Sequence, residues 1–402
     1  MAKPQISKPP LFLDAAKAAK SLGVSRATLY AYVSRGLIRS SAADGDTRQR
    51  LYNAHDVEAL KKRKAVGRRP REAAAQSLDW GLPVLSSGIT LIENGRLYYR
   101  GQDAARLAET ATLEDVARLL WQCEAQNPFI ADQALPPPWQ PGLLKRLAAL
   151  PLIERCQAML PLIAAGRATA WQRDASRLWS GAAALLRALA AATSLSEPDA
   201  QPIHLHLARA WQLKPSGADI LRRVLVLLAD HEFNASAFAV RVVASTGASL
   251  GACLTGGLAA LSGPLHGGTT SLVELLLQEI DTVGDAAAVV EARLRRGEGV
   301  PGFEHQLYPE GDPRAAALLP LLPRDASRNA LAAVMRDGAG KLPNVDFALV
   351  SVRRALRLPK DSALALFAIG RTVGWIAHAL EQHREGKLIR PRARYTGPAI
   401  AD

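Results

Sequence analysis

The strongest constraint on how this chain folds is a set of apolar runs that stay apolar nearly all the way round a helix. They are GAAALLRALAAAT at 181–193, ILRRVLVLLADHEF at 220–233, GASLGACLTGGLAALSG at 247–263 and SALALFAIGRTVGWIAHALEQHREG at 362–386. Apolar residues recur in them at spacings of three and four, which is helical periodicity rather than the alternation of a strand. A helix without a polar face must be buried, in a large protein core or in a lipid bilayer. Charged and polar residues interrupt every run before the roughly 18 apolar residues that a membrane span needs. The expectation is therefore a mainly α protein with helices buried in its own core and no membrane partner. Its 402 residues suffice for two or three domains. Aromatic residues make up only 5 %, so the core must be built from alanine and leucine, which lose little entropy in a helix.

Cysteine usage and the N-terminus narrow the class further. Cys123, Cys156 and Cys253 are odd in number and far apart, which excludes a disulfide framework and a CxxC zinc or redox site. The opening MAKPQISKPP has no apolar stretch of the signal-peptide kind. A cytoplasmic location is expected.

Charge is distributed unevenly. Of the formal +13, residues 1–76 carry +10, from 16 Lys and Arg against 6 Asp and Glu, and the remainder carries +3. Basic charge concentrated in a small module is the footprint of a polyanionic partner. The local pattern identifies the module. DAAKAAKSL at 14–22 reads as a short amphipathic helix ended by Gly23, and Ser25 is placed to cap a second helix, RATLYAYVSRG. Leu37 to Arg39 lead into a polar loop that returns through Arg50-Leu51-Tyr52, a β-wing, and Asn53 caps a third helix, AHDVEALKKRK. This order resembles the winged helix-turn-helix of MerR-like and excisionase-like proteins. By that resemblance residues 1–66 form a head with DNA as its candidate partner, and Arg26, Thr28, Tyr30, Tyr32, Arg35, Arg48 and Arg50 are the residues expected to meet it. KKRKAVGRRPREA at 61–73 reads as a basic linker, with the linker proper assigned to 67–76.

Beyond the linker, GITLIENGRLYYRG centres an Asn-Gly pair between alternating apolar residues, the signature of a β-hairpin. Almost everything after it is helical. Chemistry is expected where polar residues break the apolar runs. His231 in ADHEFNAS, His266 in SGPLHGGTT and His305 in PGFEHQLYPEGDPR all fall in such breaks, with Asp346, Arg314 and Arg371 nearby in the chain. No HExxH or P-loop pattern occurs, and no metal site is assigned. Histidines with one aspartate and several arginines suit acid–base chemistry on a polycarboxylate.

These segments resemble the citrate synthase family. The stretches GRLYYRGQDAARLAETATLEDVARLLW, HEFNASAFAVRVVAST, GPLHGG, GFEHQLYPEGDPRA, KLPNVDF, LFAIGRTVGWIAHALEQ and LIRPRARYTGP follow the family's order across residues 77–398. The resemblance implies an all-helical body of two domains: a large one over about 77–266 and 372–402, and a small one over about 267–371. It implies condensation of acetyl-CoA with oxaloacetate to citrate and CoA, in a homodimer with shared active sites. No cofactor is held permanently; acetyl-CoA is a co-substrate. By the same resemblance Asp346 is the base, His266 hydrogen-bonds the thioester oxygen and His305 donates to the oxaloacetate carbonyl. His231, Arg314 and Arg371 hold oxaloacetate, and Arg390 is supplied by the partner subunit.

Two features depart from the family. Glu304 replaces the usual glycine before the histidine of the GFGH motif, and Gln306 and Pro309 stand where a basic residue commonly helps hold CoA. A carboxylate beside His305 is expected either to favour the protonated imidazole or to repel oxaloacetate or the CoA phosphates. Three readings of the whole chain follow: a citrate synthase, a 2-methylcitrate synthase using propionyl-CoA, or a transcription regulator that uses the body as a metabolite sensor. Asp346 favours an enzyme, because a sensor of oxaloacetate has no need of a base for the acyl group.

Overall fold

The structure is a computed structural model that describes residues 12–34, 37–43, 46–67, 85–130, 139, 142–164, 172, 174–393 and 395–398. The chain divides into two compact units, Met1–Ser86 and Ser87–Asp402.

In the first unit β1 (Phe12–Asp14) leads into α1 (Ala15–Leu22), α2 (Arg26–Ser34), the hairpin β2 (Ser40–Ala43) and β3 (Asp46–Asn53), and α3 (Ala54–Gly67). Each boundary has a local cause. The Asp14 side chain accepts the Lys17 N–H and starts α1, and Gly23, at φ 60°, ends it in a left-handed conformation that costs a residue without Cβ little. Ser25 Oγ accepts the Thr28 N–H at 3.2 Å, and Asn53 Oδ1 accepts those of His55 and Asp56. The expected wing is the β2–β3 hairpin. β1, too short to show a period, pairs with the other edge of β3 and completes an antiparallel sheet in the order β1-β3-β2. Ala18, Ala19, Leu22, Leu29, Ile38, Tyr52, Val57 and Leu60 form a core separate from that of the second unit. α3 runs on through Gly67, three residues past the expected helix AHDVEALKKRK. The Lys, Arg and Ala residues that lead up to its end are strong helix formers.

The second unit opens with β4 (Thr90–Glu93) and β5 (Arg96–Tyr99), joined by Asn94 and Gly95 at φ 53° and 71°, a turn that needs positive φ at both positions. β6 (Gln102–Asp103) adds a third short strand. Helices follow: α4 (Ala104–Thr110), α5 (Leu113–Trp121), α6 (Leu143–Ala148), α7 (Leu152–Ala164), α8 (Ala175–Ser194), α9 (Ile203–Ala210), α10 (Pro215–Leu227), α11 (Ala235–Ser245) and α12 (Leu250–Leu261). Then come α13 (Thr269–Val283), α14 (Ala286–Arg295), α15 (Pro313–Leu318), α16 (Ala326–Ala339), α17 (Val345–Ala355) and α18 (Ser362–Glu385).

Helix α18 is the axis of the body. It packs against α5, α8, α10, α11, α12 and α17. By length and composition it is apolar enough to cross a membrane, yet 94 % of its apolar window is buried by these neighbours. Its all-round apolar character is thus used up inside the protein, as the sequence required. Close approach needs small residues: a Cβ on Gly374 would lie 2.2 Å from Asp230 Oδ1, and one on Gly257 of α12 would lie 2.9 Å from the Trp375 ring. Helices α13 to α17 pack mostly on one another, and α17 makes the contact with α18.

Candidate active site

The site forms where helices end. Helix α10 stops at Leu227, and Asp230 and His231 follow in the turn before α11. Asp230 is fully buried. It accepts the Thr90 hydroxyl at 2.5 Å, and His378 Nε2 of α18 lies 3.2 Å from its other oxygen. This fixes the segment, and His231 Nε2 then stands 3.0 Å from the Tyr308 hydroxyl. Burial, with the Arg314 and Arg371 charges beside it, holds the His231 ring well below its ordinary pKa.

His266 lies in the tight turn between α12 and α13. A Cβ on Gly267 would fall 2.3 Å from the Leu261 carbonyl and one on Gly268 2.9 Å from Pro264, so the GPLHGG turn closes only with glycine at both places. His266 Nε2 lies 2.8 Å from Ser236 Oγ, which also receives Trp375 Nε1–H at 3.2 Å. The Nδ1 edge is left for a ligand. Burial, then the Arg371 charge, lowers the His266 pKa to about 4.

His305 belongs to the loop before α15. Its Nδ1 accepts the Leu307 N–H at 3.2 Å, which places the proton of the neutral ring on Nε2. Burial and the Arg314 charge bring its pKa down to about 4. The rings of His231, His305 and Tyr308 cluster, with His305 centred 5.0 Å from each of the other two.

Asp346 is the second residue of α17. Asn344 caps this helix by accepting the N–H groups of Asp346 and Phe347. Asn344 also ties the helix start to the His305 loop. Its N–H reaches the Gly302 carbonyl at 2.9 Å and its Nδ2 the Glu304 carbonyl at 3.1 Å, while the Glu304 N–H reaches Leu342 O at 3.0 Å. This strand-like pairing of 302–304 with 342–344 ties the His305 loop to the start of the helix that carries Asp346. Burial raises the Asp346 carboxyl to about 6, against the opposing pull of Arg314. Among the described residues no hydrogen-bond donor engages that carboxylate.

The two arginines differ in how they are held. Arg314 makes a bidentate bond to Asp312, at 2.9 and 2.8 Å, with both groups buried. Asp312 also accepts the Val345 N–H at 2.9 Å, so one carboxylate anchors both Arg314 and the helix that carries Asp346. Burial would push Asp312 up, but the Arg314 charge and hydrogen bonds hold it ionised below the usual range. Arg371, on α18, donates Nε–H to Leu228 O at 3.1 Å, while its buried Nη1 has no partner among the described residues. Burial lowers the Arg371 pKa to about 10, and Asp230 opposes the fall. A buried guanidinium nitrogen without an acceptor costs free energy unless a ligand supplies one. The Arg371 charge is felt by His231, His266, His305 and Asp346 alike. All the sequence-predicted residues of this group therefore converge, apart from Arg390. That residue is exposed in the extended stretch after α18 and makes no hydrogen bond or ion pair among the described residues. Nor do the described residues hold any group of three His, Cys, Asp or Glu side chains that would bind a metal ion.

One expectation is corrected. Glu304 does not raise His305: its carboxylate turns away to Lys341 Nζ at 2.7 Å, and the His305 pKa falls. Sequence reasoning also assigned no role to Asp312, Tyr308, Ser236 or Asn344. All four stand inside the quoted motifs. The sequence signal for Asp312 is the Asp-Pro pair that starts a helix with its side chain as the cap.

In the head, Arg26 and Tyr30 are exposed on α2, the latter at 52 %. Thr28 is half-buried and bonds Ser25 Oγ at 2.9 Å. Tyr32 packs against the head's own core, which leaves less of it for a ligand. Arg50 is exposed on β3 and donates to Ser40 Oγ at 3.2 Å. Arg48 lies on β3 with its side chain outside the described residues; Arg35 and the stretch 68–84 also lie outside them.

A mainly helical body with three histidines, one carboxylic acid and two buried guanidinium groups near helix ends defines a condensing enzyme of the citrate synthase type. The family description "Citrate synthase, C-terminal domain" matches residues 77–392, and "Helix-turn-helix domain" matches residues 12–65. The chain belongs to the citrate synthase family. Citrate synthase 2 of Bacillus subtilis is 31 % identical over 353 residues, covering 79 % of this chain and 95 % of that protein. The 2-methylcitrate synthase of Shewanella oneidensis is 30 % identical over 374 residues, covering 84 % and 96 %. The crystal structure of citrate synthase from Thermotoga maritima superposes with a TM-score of 0.66 at 29 % identity, covering 80 % of this chain and 96 % of that one.

Proposed function

We propose that the protein condenses acetyl-CoA with oxaloacetate to give citrate and CoA. The observation that carries this is the trio at one guanidinium: a carboxyl raised to about 6 at Asp346 and imidazoles lowered to about 4 at His266 and His305. A thioester methyl is a very weak carbon acid, so its removal needs a base and simultaneous stabilisation of the oxygen that gains charge. The ionised Asp346 takes the methyl proton. The neutral His266, anchored through Nε2, presents Nδ1 to the thioester oxygen. Ser236 has one proton and two acceptors at 2.8 Å, Asn234 Oδ1 and His266 Nε2. Turnover requires that Ser236 Oγ–H donate to His266 Nε2, so that the single proton of the neutral imidazole sits on Nδ1. The enol carbon attacks the ketone carbon of oxaloacetate, and His305 Nε2–H supplies the proton to the ketone oxygen. Water then cleaves the citryl thioester.

His231, Arg314, Arg371 and, from a second subunit, Arg390 hold the oxaloacetate carboxylates. Guanidinium forks match carboxylates in a way lysine does not. Helices α13 to α17 act as the small domain, whose closure over the cleft excludes water until the carbon–carbon bond has formed. The enzyme works in the cytoplasm as a homodimer. Its head, through Arg26, Thr28, Tyr30, Arg35, Arg48 and Arg50, and with Tyr32 contributing from its partly packed position, binds DNA. The exposed Arg26 on α2 and Arg50 on β3 favour a second reading, a regulator that senses oxaloacetate through the body.

The test is free-thiol release from purified protein with oxaloacetate and either acetyl-CoA or propionyl-CoA, beside Asp346→Ala. Oxaloacetate-dependent release that is lost in the variant is expected. Faster release from propionyl-CoA assigns a 2-methylcitrate synthase instead. No release, with oxaloacetate still bound, moves the assignment to the regulator.

A further inference from the structure

We propose that Ser196, His206 and Asp199 form a second catalytic site, which cleaves small carboxylic esters through an acyl-serine. The three residues lie where α8 ends and α9 begins, a stretch that the condensing site does not use. Helix α8 closes on Leu195 at φ 51°, a left-handed conformation that a residue with a Cβ adopts at a cost. The chain doubles back there, and the Ser196 N–H reaches Ala191 O at 3.0 Å. Ser196 Oγ stands 2.9 Å from His206 Nε2. At the other edge of the same ring, His206 Nδ1 is 3.0 Å from Asp199 Oδ2.

These contacts fix the protons. A carboxylate only accepts, so His206 Nδ1 carries the hydrogen and Nε2 of the neutral ring presents its lone pair. Ser194 Oγ lies 3.2 Å from Nε2 and 2.7 Å from Ser196 Oγ, but it has the Ala190 carbonyl for its own proton at 2.9 Å. Ser196, the closer of the two and without a carbonyl acceptor among the described residues, is left to give its proton to the imidazole. Asp199 is held from two further sides. Its Oδ1 accepts the Gln201 N–H at 2.9 Å, and Arg209 pairs with its Oδ2. Burial would raise the Asp199 carboxyl, but the His206 hydrogen bond and the Arg209 charge hold it below the usual range. His206 is 3 % exposed, whereas Ser196 and Asp199 are half-buried, so the base is packed and the hydroxyl can be reached. A hydroxyl in hydrogen-bond reach of a base that a third group orients is an activated nucleophile, on whatever fold it stands. The Glu197 N–H, next in the chain, meets no acceptor among the described residues and is the donor available to an oxygen that gains charge.

Ser196 Oγ attacks the ester carbonyl carbon as its proton passes to His206 Nε2. The carbonyl electron pair moves to oxygen and returns as the alcohol leaves with the proton from His206. Water then gives a proton to His206 and attacks the acyl-serine. The carboxylic acid departs, and Ser196 recovers its proton. One ester and one water give one acid and one alcohol, with no other reactant.

The experiment uses the full chain without oxaloacetate, so the condensing reading has no part in it. Hydrolysis of p-nitrophenyl acetate is followed for wild type, Ser196→Ala and Asp199→Asn, with thermal unfolding to show that the variants fold. Wild type is also treated with a fluorophosphonate, and the adduct is located by peptide mass. Wild type is expected to exceed both variants by about 100-fold, and the adduct is expected on Ser196. Hydrolysis no faster than in Ser196→Ala overturns the site and leaves these contacts as a tie between α8 and α9. Absence of an adduct at Ser196 overturns it as well, a result that needs no variant to fold. An adduct at Ser196 without turnover also counts against it.

Discussion

Asp346 is the residue on which the proposed chemistry turns. Its carboxyl is raised to about 6 chiefly by burial, so activity should fall on acidification through pH 6 as the base becomes protonated. His266 and His305, lowered to about 4, should add no limb of their own between pH 6 and 8. A profile of thiol release against pH checks this, and a limb near 7 that survives changes of substrate concentration would contradict it. The same shift affects stability. The folded pKa lies above the unfolded value near 3.8, so the fold favours protonated Asp346. That contribution is fully present below pH 3.8 and is lost as pH rises through 6. Asp346→Asn, which mimics the protonated form, should therefore stabilise the empty protein at pH 8 by up to about 3 kcal/mol, and should not do so at pH 3.5. Thermal unfolding at the two pH values reads the difference.

At the scale of elements, the site depends on helix ends held by single carboxylates. Asp312 serves Arg314 and the first turn of α17 together. Replacing it with alanine leaves a buried arginine unpaired and a helix N–H unmet, and should cost about 3–5 kcal/mol in chemical denaturation. Retained stability in Asp312→Ala would show that neither contact matters. Helix α18 is equally constrained. Gly374→Ala places a methyl 2.2 Å from Asp230 Oδ1 and 2.5 Å from the Ala229 carbonyl, and should destabilise by about 1–3 kcal/mol or more through forced overpacking. Because the Asp230 turn leads directly to His231, oxaloacetate binding should weaken in the same variant.

For the whole molecule, the exposed Arg390 is the decisive residue. If each site borrows it from the partner subunit, Asp346→Ala and Arg390→Ala homodimers should both be inactive or weak. Mixed dimers should regain up to half the wild-type rate, because one of their two sites is then intact. Refolding the two variants together and assaying thiol release tests it; no recovery despite subunit exchange would place Arg390 in its own chain's site. The head makes a separate prediction. DNA binding by the full chain in a mobility-shift assay should weaken steeply with salt, and Arg26→Ala with Arg50→Ala should weaken it further. Binding that ignores both salt and these changes would remove α2 and the wing as the contact face.

Much of this was legible in the sequence because it is local. Asp14, Gly23, Ser25, Asn53 and the Asn94-Gly95 pair set boundaries through their own side chains or dihedral angles, and apolar periodicity marked the buried helices. The residue types needed for the chemistry also stood out, as polar breaks in apolar runs. Other features depend on groups distant in the chain and carry no local period. The His305 loop pairs with the segment before Asp346 through three carbonyls and an asparagine. Asp312 bridges an arginine to a helix 33 residues on. Glu304 turns from its neighbour His305 to Lys341, reversing an expectation based on adjacency alone. The pKa values of the site follow from burial and from Arg371, and neither exists until α18 is enclosed. The sequence by itself determined where most of the helices form and which groups are candidates for the chemistry. Only the tertiary structure decided which of those groups share a charge environment, because dielectric burial and long-range hydrogen bonds arise from packing and not from chain order.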